Sequence, residues 1–285
     1  MRLNVYPMRN SGPMNRDPHE RLSPAVRAQL KPRWSGTLVN GTMALILATL
    51  LGLSYYPAEM NNWTMLFTDA GNMAVFIADF LKPDFSDIRM FVAKMLETVE
   101  MALWGTFLST LCGIPFALLS SSNIAPFWIV QPARRLMDAA RAINELVFAI
   151  LFVAAVGLGP LAGVMALFVH NLGIISKLFS EAVEAIDQRP VEGIRSTGAG
   201  YLHEIIYGVI PQVLPLWTSL TLYRFETNVR SATVLGIVGA GGIGFTFYES
   251  FRAFQYPRAS AIILVIVVAV SLIDLLSARL RRRLI

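Results

Sequence analysis

Five long stretches of this chain contain no Asp, Glu, Lys or Arg, and they constrain its fold more than any other feature. They are Trp34–Ala58, Met101–Ala133, Leu146–Ser176, Ile205–Tyr223 and Ala259–Ile273. An α-helix needs about 20 mostly apolar residues to cross the hydrocarbon core of a bilayer, and backbone amides in lipid must pair within their own segment. Only 15% of the residues are charged, against about 25% in soluble domains. These features predict an all-α membrane protein embedded in a lipid bilayer.

The uncharged stretches and their flanks predict about six transmembrane helices. We place them near residues 37–56, 91–119, 137–157, 160–180, 208–232 and 257–277. Residues 1–33 contain seven Lys or Arg, and the tail after Leu276 contains four arginines. Because basic residues accumulate on the cytoplasmic side of membrane proteins, we expect both termini in the cytoplasm, which an even number of spans permits.

The segments outside the spans have distinct compositions. Residues 1–33 contain five prolines among polar residues, which predicts a disordered cytoplasmic N-terminal arm, and residues 34–285 are expected to form the transmembrane domain. The loop at residues 57–89 is acidic and is expected outside the cell. Its apolar residues Met73, Phe76, Ile77 and Phe80 follow helical spacing. They predict a surface helix, which either helps to seat an extracellular binding protein or only covers the bundle.

A glycine-rich stretch near the end of the chain has the spelling G-x-G-x-x-G. Its glycines are Gly239, Gly241, Gly242 and Gly244. A dinucleotide-binding fold would need a βαβ unit and an acidic residue about 20 positions later. The acids after Gly244 are Glu249 and Asp274, which stand at other distances. We therefore expect a tight turn on the outer side between the fifth and sixth spans, serving either for packing or for gating.

Residues 181–200 form a second distinctive segment, on the side predicted to be cytoplasmic. The segment is too long for a simple turn and mixes charged with helix-forming residues. Pro190 can open a short helix and the glycines at positions 198 and 200 can close it. From the residues alone this helix either docks a cytoplasmic partner or rests on lipid headgroups.

Several segments resemble the phosphonate permeases of binding-protein-dependent ABC importers. The segment from Glu192 to Pro211 resembles the coupling motif of these permeases, although Gly193 and Ile194 replace the usual alanines. Further matching segments are residues 71–86, 135–164, 180–186 and 222–244. Together the likeness covers nearly everything after about residue 34.

The resemblance implies a type I ABC importer permease in the bacterial inner membrane. Such permeases work as a pair of copies on an ATP-binding subunit homodimer, and they receive substrate from a periplasmic phosphonate-binding protein. The coupling residues it implies are Glu181, Glu184, Glu192, Gly193, Arg195 and Gly198. The chain has no G-x-x-x-x-G-K-[ST] motif, so ATP and magnesium are expected in the partner ATPase, and no cofactor is expected in this chain.

Three charged residues lie in the predicted fifth span: Arg224, Glu226 and Arg230. Counting from Pro211 at about 1.5 Å per residue places Arg224 past the middle of the membrane and Arg230 near its outer boundary. Because charges facing lipid are costly, these residues either line a path for an anionic phosphonate or form a structural ion-pair set between subunits. Residues 226 and 230 are spaced to pair along one helix face.

Other polar residues in the spans predict packing rather than chemistry. Arg141 and Glu145 are spaced for a local salt bridge, and His170 and Asn171 suit hydrogen bonds between helices. The sequence contains no recognisable catalytic set, metal-ligand spacing or nucleic-acid-binding feature. We therefore expect a permease without enzymatic activity of its own. The alternatives are a permease for another solute, such as methionine or a quaternary amine, and a membrane enzyme or non-transporting scaffold.

Overall fold

A computed structural model describes residues 34–60, 62 and 70–284. The predicted disordered arm, residues 1–33, lies outside this range. The chain divides into two compact units, Met1–Gly71 and Asn72–Ile285. All regular structure in the described ranges is helical.

The first unit contains helix α1 (Trp34–Ser54), and helix α2 (Ala70–Phe80) begins at the boundary between the units. The second unit continues with α3 (Ile88–Ser120), α4 (Phe127–Ala142), α5 (Glu145–Val156), α6 (Pro160–Glu184), α7 (Gln188–Ser196), α8 (Ile210–Leu235), α9 (Gly242–Arg252) and α10 (Tyr256–Leu284). A helical turn (Tyr201–His203) and a π-helical segment (Glu204–Val209) lead directly into α8.

Four helical segments of the described chain are long and apolar enough to cross a membrane. They are α3, α6, the continuous segment Tyr201–Val238, and α10 up to Arg282. Helices α4 and α5 meet the same criteria only as a pair bent by 85°, which is either a broken span or a re-entrant loop. Helix α1 lies where the first span is predicted, but its apolar part, Val39–Ser54, is shorter than these spans. The described chain therefore has four spans, or five if the bent pair counts as one, where about six are predicted.

The predicted third span, residues 137–157, is wrong as a single helix because the chain breaks at Ile143 and Asn144. Asn144 adopts an extended backbone, and its side-chain oxygen accepts a hydrogen bond from Leu146 N at 2.9 Å. Asn is a favoured N-cap residue because its side chain satisfies an amide that a helix start leaves unpaired. A new helix therefore begins at Glu145, in a new direction.

The bundle is built around the contact between α3 and α6. Gly105 lies so close to α6 that a Cβ atom there would stand 2.7 Å from Cβ of Leu167. Leu167 is fully buried, as are Val229 and Ile262 on the neighbouring helices. Small residues at such contacts allow membrane helices to approach closely. This packing fixes the relative positions of α3, α6, α8 and α10.

The surface helix predicted from the apolar spacing in the loop is confirmed as α2. Phe76 on α2 packs edge-on against Tyr256 at the start of α10, with ring centroids 4.8 Å apart. Met73 and Ile77 on the same helix are exposed.

Candidate transport and coupling sites

The short helix predicted in residues 181–200 is confirmed as α7. Asp187 caps its start, since its side chain accepts a hydrogen bond from Arg189 N at 3.0 Å. Gly198 follows its end with φ +79, a left-handed conformation that glycine adopts without steric penalty. The helix therefore has defined ends on both sides.

Two polar contacts attach α7 to the beginning of the next span. Gln212 on α8 bonds both backbone groups of Asp187, accepting from N and donating to O, each at 3.1 Å. Arg195 donates to both carboxylate oxygens of buried Glu204, at 3.0 and 2.8 Å. These hydrogen bonds raise the pKa of Arg195 above its ordinary value, so its charge is constant at working pH.

The backbone also brings α7 close to the π-helical segment. A Cβ atom on Gly208 would stand 3.1 Å from Cγ2 and 3.2 Å from Cα of Val191. Val191 is the buried residue of α7 and packs in the cluster with Val183, Val209 and Trp217. A displacement of α7 is therefore transmitted to the start of α8 through apolar packing as well as through hydrogen bonds.

The six predicted coupling residues differ in their surroundings. Glu192 and Gly193 are exposed on α7, and a Cβ atom on Gly193 would meet no described atom within 4 Å. Glu181 is exposed beside Lys177, at 3.4 Å. Glu184, in contrast, accepts hydrogen bonds from Ser122 and pairs with Arg134. Arg195 and Gly198 hold the helix in place and are also exposed, so Glu184 is the one residue of the six that is partly buried.

The glycine-rich turn lies inside the bundle. Gly239, Gly241 and Gly242 have φ of 91°, 81° and 71°, and a Cβ atom on Gly244 would stand 1.8 Å from the carbonyl oxygen of Thr233. The turn joins α8 to the short helix α9, which precedes α10, so it lies between the predicted fifth and sixth spans. Helices flank the motif on both sides, which removes the strand that a dinucleotide fold requires.

Two side chains of α3 hold this turn. Glu97 accepts a hydrogen bond from Gly242 N at 2.9 Å, and Thr98 accepts one from Ile243 N at 2.9 Å. Both amides belong to the first turn of α9, where backbone donors have no partner within the helix. The attachment therefore ties the conformation of the turn to the N-terminal part of α3.

Arg224 lies half-buried in the bundle and binds an amide. Its Nε donates to Oδ1 of Asn171 at 3.0 Å, and Nη2 donates to the same oxygen. Asn171 is fully buried in the middle of α6. In the part of the chain that the structure describes, Arg224 makes no salt bridge, and the carboxylate of Glu145 is near enough to act on its charge.

Glu226 and Arg230 belong to an ion-pair set with the last helix. Glu226 pairs with Arg230 at 3.0 Å, as the spacing predicts, and its other carboxylate oxygen lies 3.0 Å from Arg281. Arg230 also reaches Asp274 at 3.4 Å. The set is electrically neutral, and it connects α8 to α10.

These contacts place the ion-pair set beside the C-terminal half of α10. Arg281 lies about 37 Å along α10 from Tyr256 at 1.5 Å per residue, so its partner Glu226 lies toward the end of α10 that is remote from Tyr256. Arg230 contacts α10 nearer to Tyr256, at Asp274. The depth of Arg230 in the membrane stays a prediction.

A second polar cluster surrounds the break between α4 and α5. Glu145 lies 3.0 Å from Nε2 of His170 and accepts a hydrogen bond from Ser231 at 2.7 Å. His170 also contacts the carbonyl oxygen of Ile143 through Nδ1, at 2.9 Å. The contacts of His170 and Asn171 agree with the predicted hydrogen bonding between helices.

The predicted salt bridge between Arg141 and Glu145 is wrong. Arg141 pairs with Asp138 at 2.8 Å instead. The break at Ile143 and Asn144 ends the helix on which residues 141 and 145 would have faced each other. The adjacent Asn144 and Glu145 carry the signal of this break, because Asn followed by an acidic residue is typical of a helix start.

Among the described residues, no group of three or more His, Cys, Asp or Glu could hold a metal ion. Sequence reasoning also missed the roles of Glu97, Thr98 and Arg281. Each acts on a residue more than 50 positions away, and spacing within one helix carries no information about such contacts.

Comparisons with known proteins agree with this architecture. Residues 113–285 match the family described as "Binding-protein-dependent transport system inner membrane component". The chain is 37% identical over 243 residues to the "Phosphite transport system permease protein PtxC" of Stutzerimonas stutzeri, covering 85% of this chain and 88% of that protein. It is 61% identical over 121 residues to the "Putative cryptic phosphonate transport system permease protein PhnE2" of Escherichia coli strain K12, covering 42% of this chain and 99% of that protein. An inward-facing structure of the MetNI methionine ABC transporter has a TM-score of 0.63 at 20% identity and covers 70% of this chain and 99% of that chain.

The chain belongs to the family of binding-protein-dependent transport system inner membrane components. Its fold is that of a type I ABC importer permease. Within the family, it is similar to permeases of phosphite and phosphonate transport systems.

Proposed function

We propose that this protein is the permease subunit of an ATP-driven importer that moves phosphonates, or phosphite, across the inner membrane by alternating access. The similarity to a phosphite permease along 85% of the chain carries this proposal. The likeness to the methionine transporter, at 20% identity, concerns the fold alone and does not favour methionine as the substrate. No observation favours a quaternary amine or a non-transporting scaffold.

The proposed complex contains two copies of this permease, a pair of ATP-binding subunits and a periplasmic binding protein. ATP and magnesium would bind in the ATP-binding subunits. The exposure of Glu192 and Gly193 supports α7 as the docking helix. Gln212 attaches α7 to α8, and Arg195 attaches it to the π-helical segment that leads into α8. ATP binding would draw the two docking helices together and open the path outward, and hydrolysis would reverse the movement.

Arg224, Glu226 and Arg230 are proposed to contribute unequally to the substrate path. Arg224 is the candidate for attracting the anion, because a guanidinium suits phosphonate oxygens and its partner, Asn171, is neutral. The pairing of Glu226 with Arg230 and Arg281 supports a structural role for Glu226, which holds Arg230 in position. The charges of that set cost less in the membrane because they neutralise one another.

Transport by the complete complex in proteoliposomes tests the proposed substrate. Ethylphosphonate, phosphite, phosphate and methionine are compared as cargo, each with a binding protein that captures it. We expect ATP-dependent accumulation of ethylphosphonate or phosphite, and no methionine accumulation above liposomes without ATP. Accumulation of methionine alone would contradict the proposal.

Cysteine labelling tests the orientation. Cys112 is the only native cysteine, so a Cys112→Ser background allows single cysteines at Glu192 and Arg279 to be labelled from each side. We expect both positions to react from the cytoplasmic side. Reaction of Glu192→Cys from the opposite side would place α7 beyond the reach of a cytoplasmic ATPase.

A further inference from the structure

A polar cavity lies in the bundle beside the break between α4 and α5. Its volume is about 250 Å³, and its lining residues are Asn144, Glu145, Leu146, Arg230, Ser231, Val234 and Leu235. One wall therefore carries charged and amide groups, and the other carries aliphatic side chains. Sites for drug-sized ligands are about 300–1,000 Å³, so this volume suits a smaller solute.

The polar wall offers hydrogen-bond donors that the protein does not use. The hydrogen bonds of Arg230 within the described chain all use Nη2, which leaves Nε and Nη1 for a ligand. Asn144 uses its Oδ1 to cap α5, so its Nδ2 is directed away from that cap and donates to no described residue. A guanidinium edge beside an amide donor is suited to the oxygens of a phosphonate group.

Glu145 limits how strongly the cavity attracts an anion. Its two oxygens are occupied by His170 and Ser231, so it lies at the cavity with its position set by two other helices. Its negative charge opposes the accumulation of anions around Arg230. A site on a transport path needs this balance, because a solute that binds too tightly is not released.

The location of the cavity indicates that it faces a solute path. The side chain of Arg230 is 52% exposed and that of Asp274 38% exposed on the single subunit. Contact with lipid at membrane depth would be costly for each of these charges. This surface is therefore covered by water or by the second permease copy of the proposed complex.

From these observations we infer that the cavity is an intramembrane binding site for an organic phosphonate. The phosphonate oxygens bind Arg230 and Asn144, and the organic substituent lies against Leu146, Val234 and Leu235. The inference rests on the proposed transport function and deepens it, since it makes the permease itself selective for phosphonates that carry an apolar substituent over phosphite.

The test compares uptake of ethylphosphonate with uptake of phosphite by the reconstituted complex. Val234→Asn makes the apolar wall polar. Burial of each methylene is worth about a fourfold change in binding, so we expect the uptake ratio of ethylphosphonate to phosphite to fall at least about fourfold. Val267→Asn, the same change at an exposed valine of α10 outside the cavity, is the matched control and keeps the wild-type ratio.

A second variant tests the polar wall. Asn144→Asp keeps the oxygen that caps α5 but removes the amide donor and adds a negative charge. We expect uptake of both anions to fall at least tenfold while the complex still assembles. If Val234→Asn fails to assemble, the uptake ratio of ethylphosphonate to phosphite is measured in Val234→Thr instead, because threonine has nearly the same shape as valine.

The outcomes separate the inference from the proposed function. Wild-type complex that transports neither anion contradicts the proposed function. Wild-type complex that transports them, together with an unchanged ratio in the Val234 variant or full uptake in Asn144→Asp, overturns the inferred site.

Discussion

Gln212 is the residue whose replacement most directly tests how α7 is coupled to α8. Its amide bonds both backbone groups of Asp187, at 3.1 Å each, and donates to Gly208 O at 2.6 Å. Gln212→Leu retains a similar volume and removes all three bonds. We expect α7 to open locally more often, while the bundle remains folded.

The size of the effect follows from the contacts. A neutral hydrogen bond contributes about 0.5–1.5 kcal/mol net, because water replaces the lost partner. Asp187 is exposed, so its two bonds belong at the lower end and together contribute about 1 kcal/mol. That energy corresponds to about a fivefold rise in the opening equilibrium of α7.

Hydrogen exchange measured by mass spectrometry reports this equilibrium. Amide protection across residues 188–196 is expected to fall about fivefold in Gln212→Leu, and ATP consumed per transported solute is expected to rise. Thr218→Val is the matched control, because its hydroxyl bonds only Leu214 O of its own helix. Unchanged protection of α7, or an equal loss of protection in α3, would refute the reasoning.

Two further predictions concern the path and the turn. Arg224→Gln retains a hydrogen-bond donor for Asn171 but removes the positive charge. Phosphonate uptake should therefore disappear, while assembly and basal ATP hydrolysis persist. Uptake that survives in proteoliposomes would exclude Arg224 from the substrate path. Gly244→Ala places a methyl group 1.8 Å from Thr233 O, so the thermal midpoint of the purified permease should fall sharply. Gly193→Ala, where no described atom lies within 4 Å, should leave that midpoint unchanged, and equal midpoints in the two variants would contradict the steric argument.

The long helices and the short helix α7 could be predicted from the sequence because their signals are local. A run of apolar residues in lipid must satisfy its own amides, and only a helix does so within one segment. The C-terminal end of α7 could also be predicted, since Gly198 supplies the left-handed residue that ends a helix. The break at Asn144 also had a local signal, the Asn144–Glu145 pair, but the apolar residues around it favoured one continuous helix.

The polar partners could not be predicted in this way. The guanidinium of Arg224 meets Asn171, and Glu226 meets Arg281, across more than 50 residues of sequence. Several arginines and several acids were available for each pairing. The part of α10 that lies beside Arg230 could not be predicted either, since it depends on how the two helices pack.

By itself, the sequence determined that this chain forms helices in a bilayer, that its intramembrane charges need protein or water around them, and that a short charged helix lies between two spans. Hydropathy and backbone hydrogen bonding act within a segment, so they can be read along the chain. The tertiary structure decided which charges neutralise each other, how the glycine turn is held and where a cavity forms. These outcomes depend on how closely the helices pack, as at Gly105 against Leu167, and only the assembled bundle sets those distances.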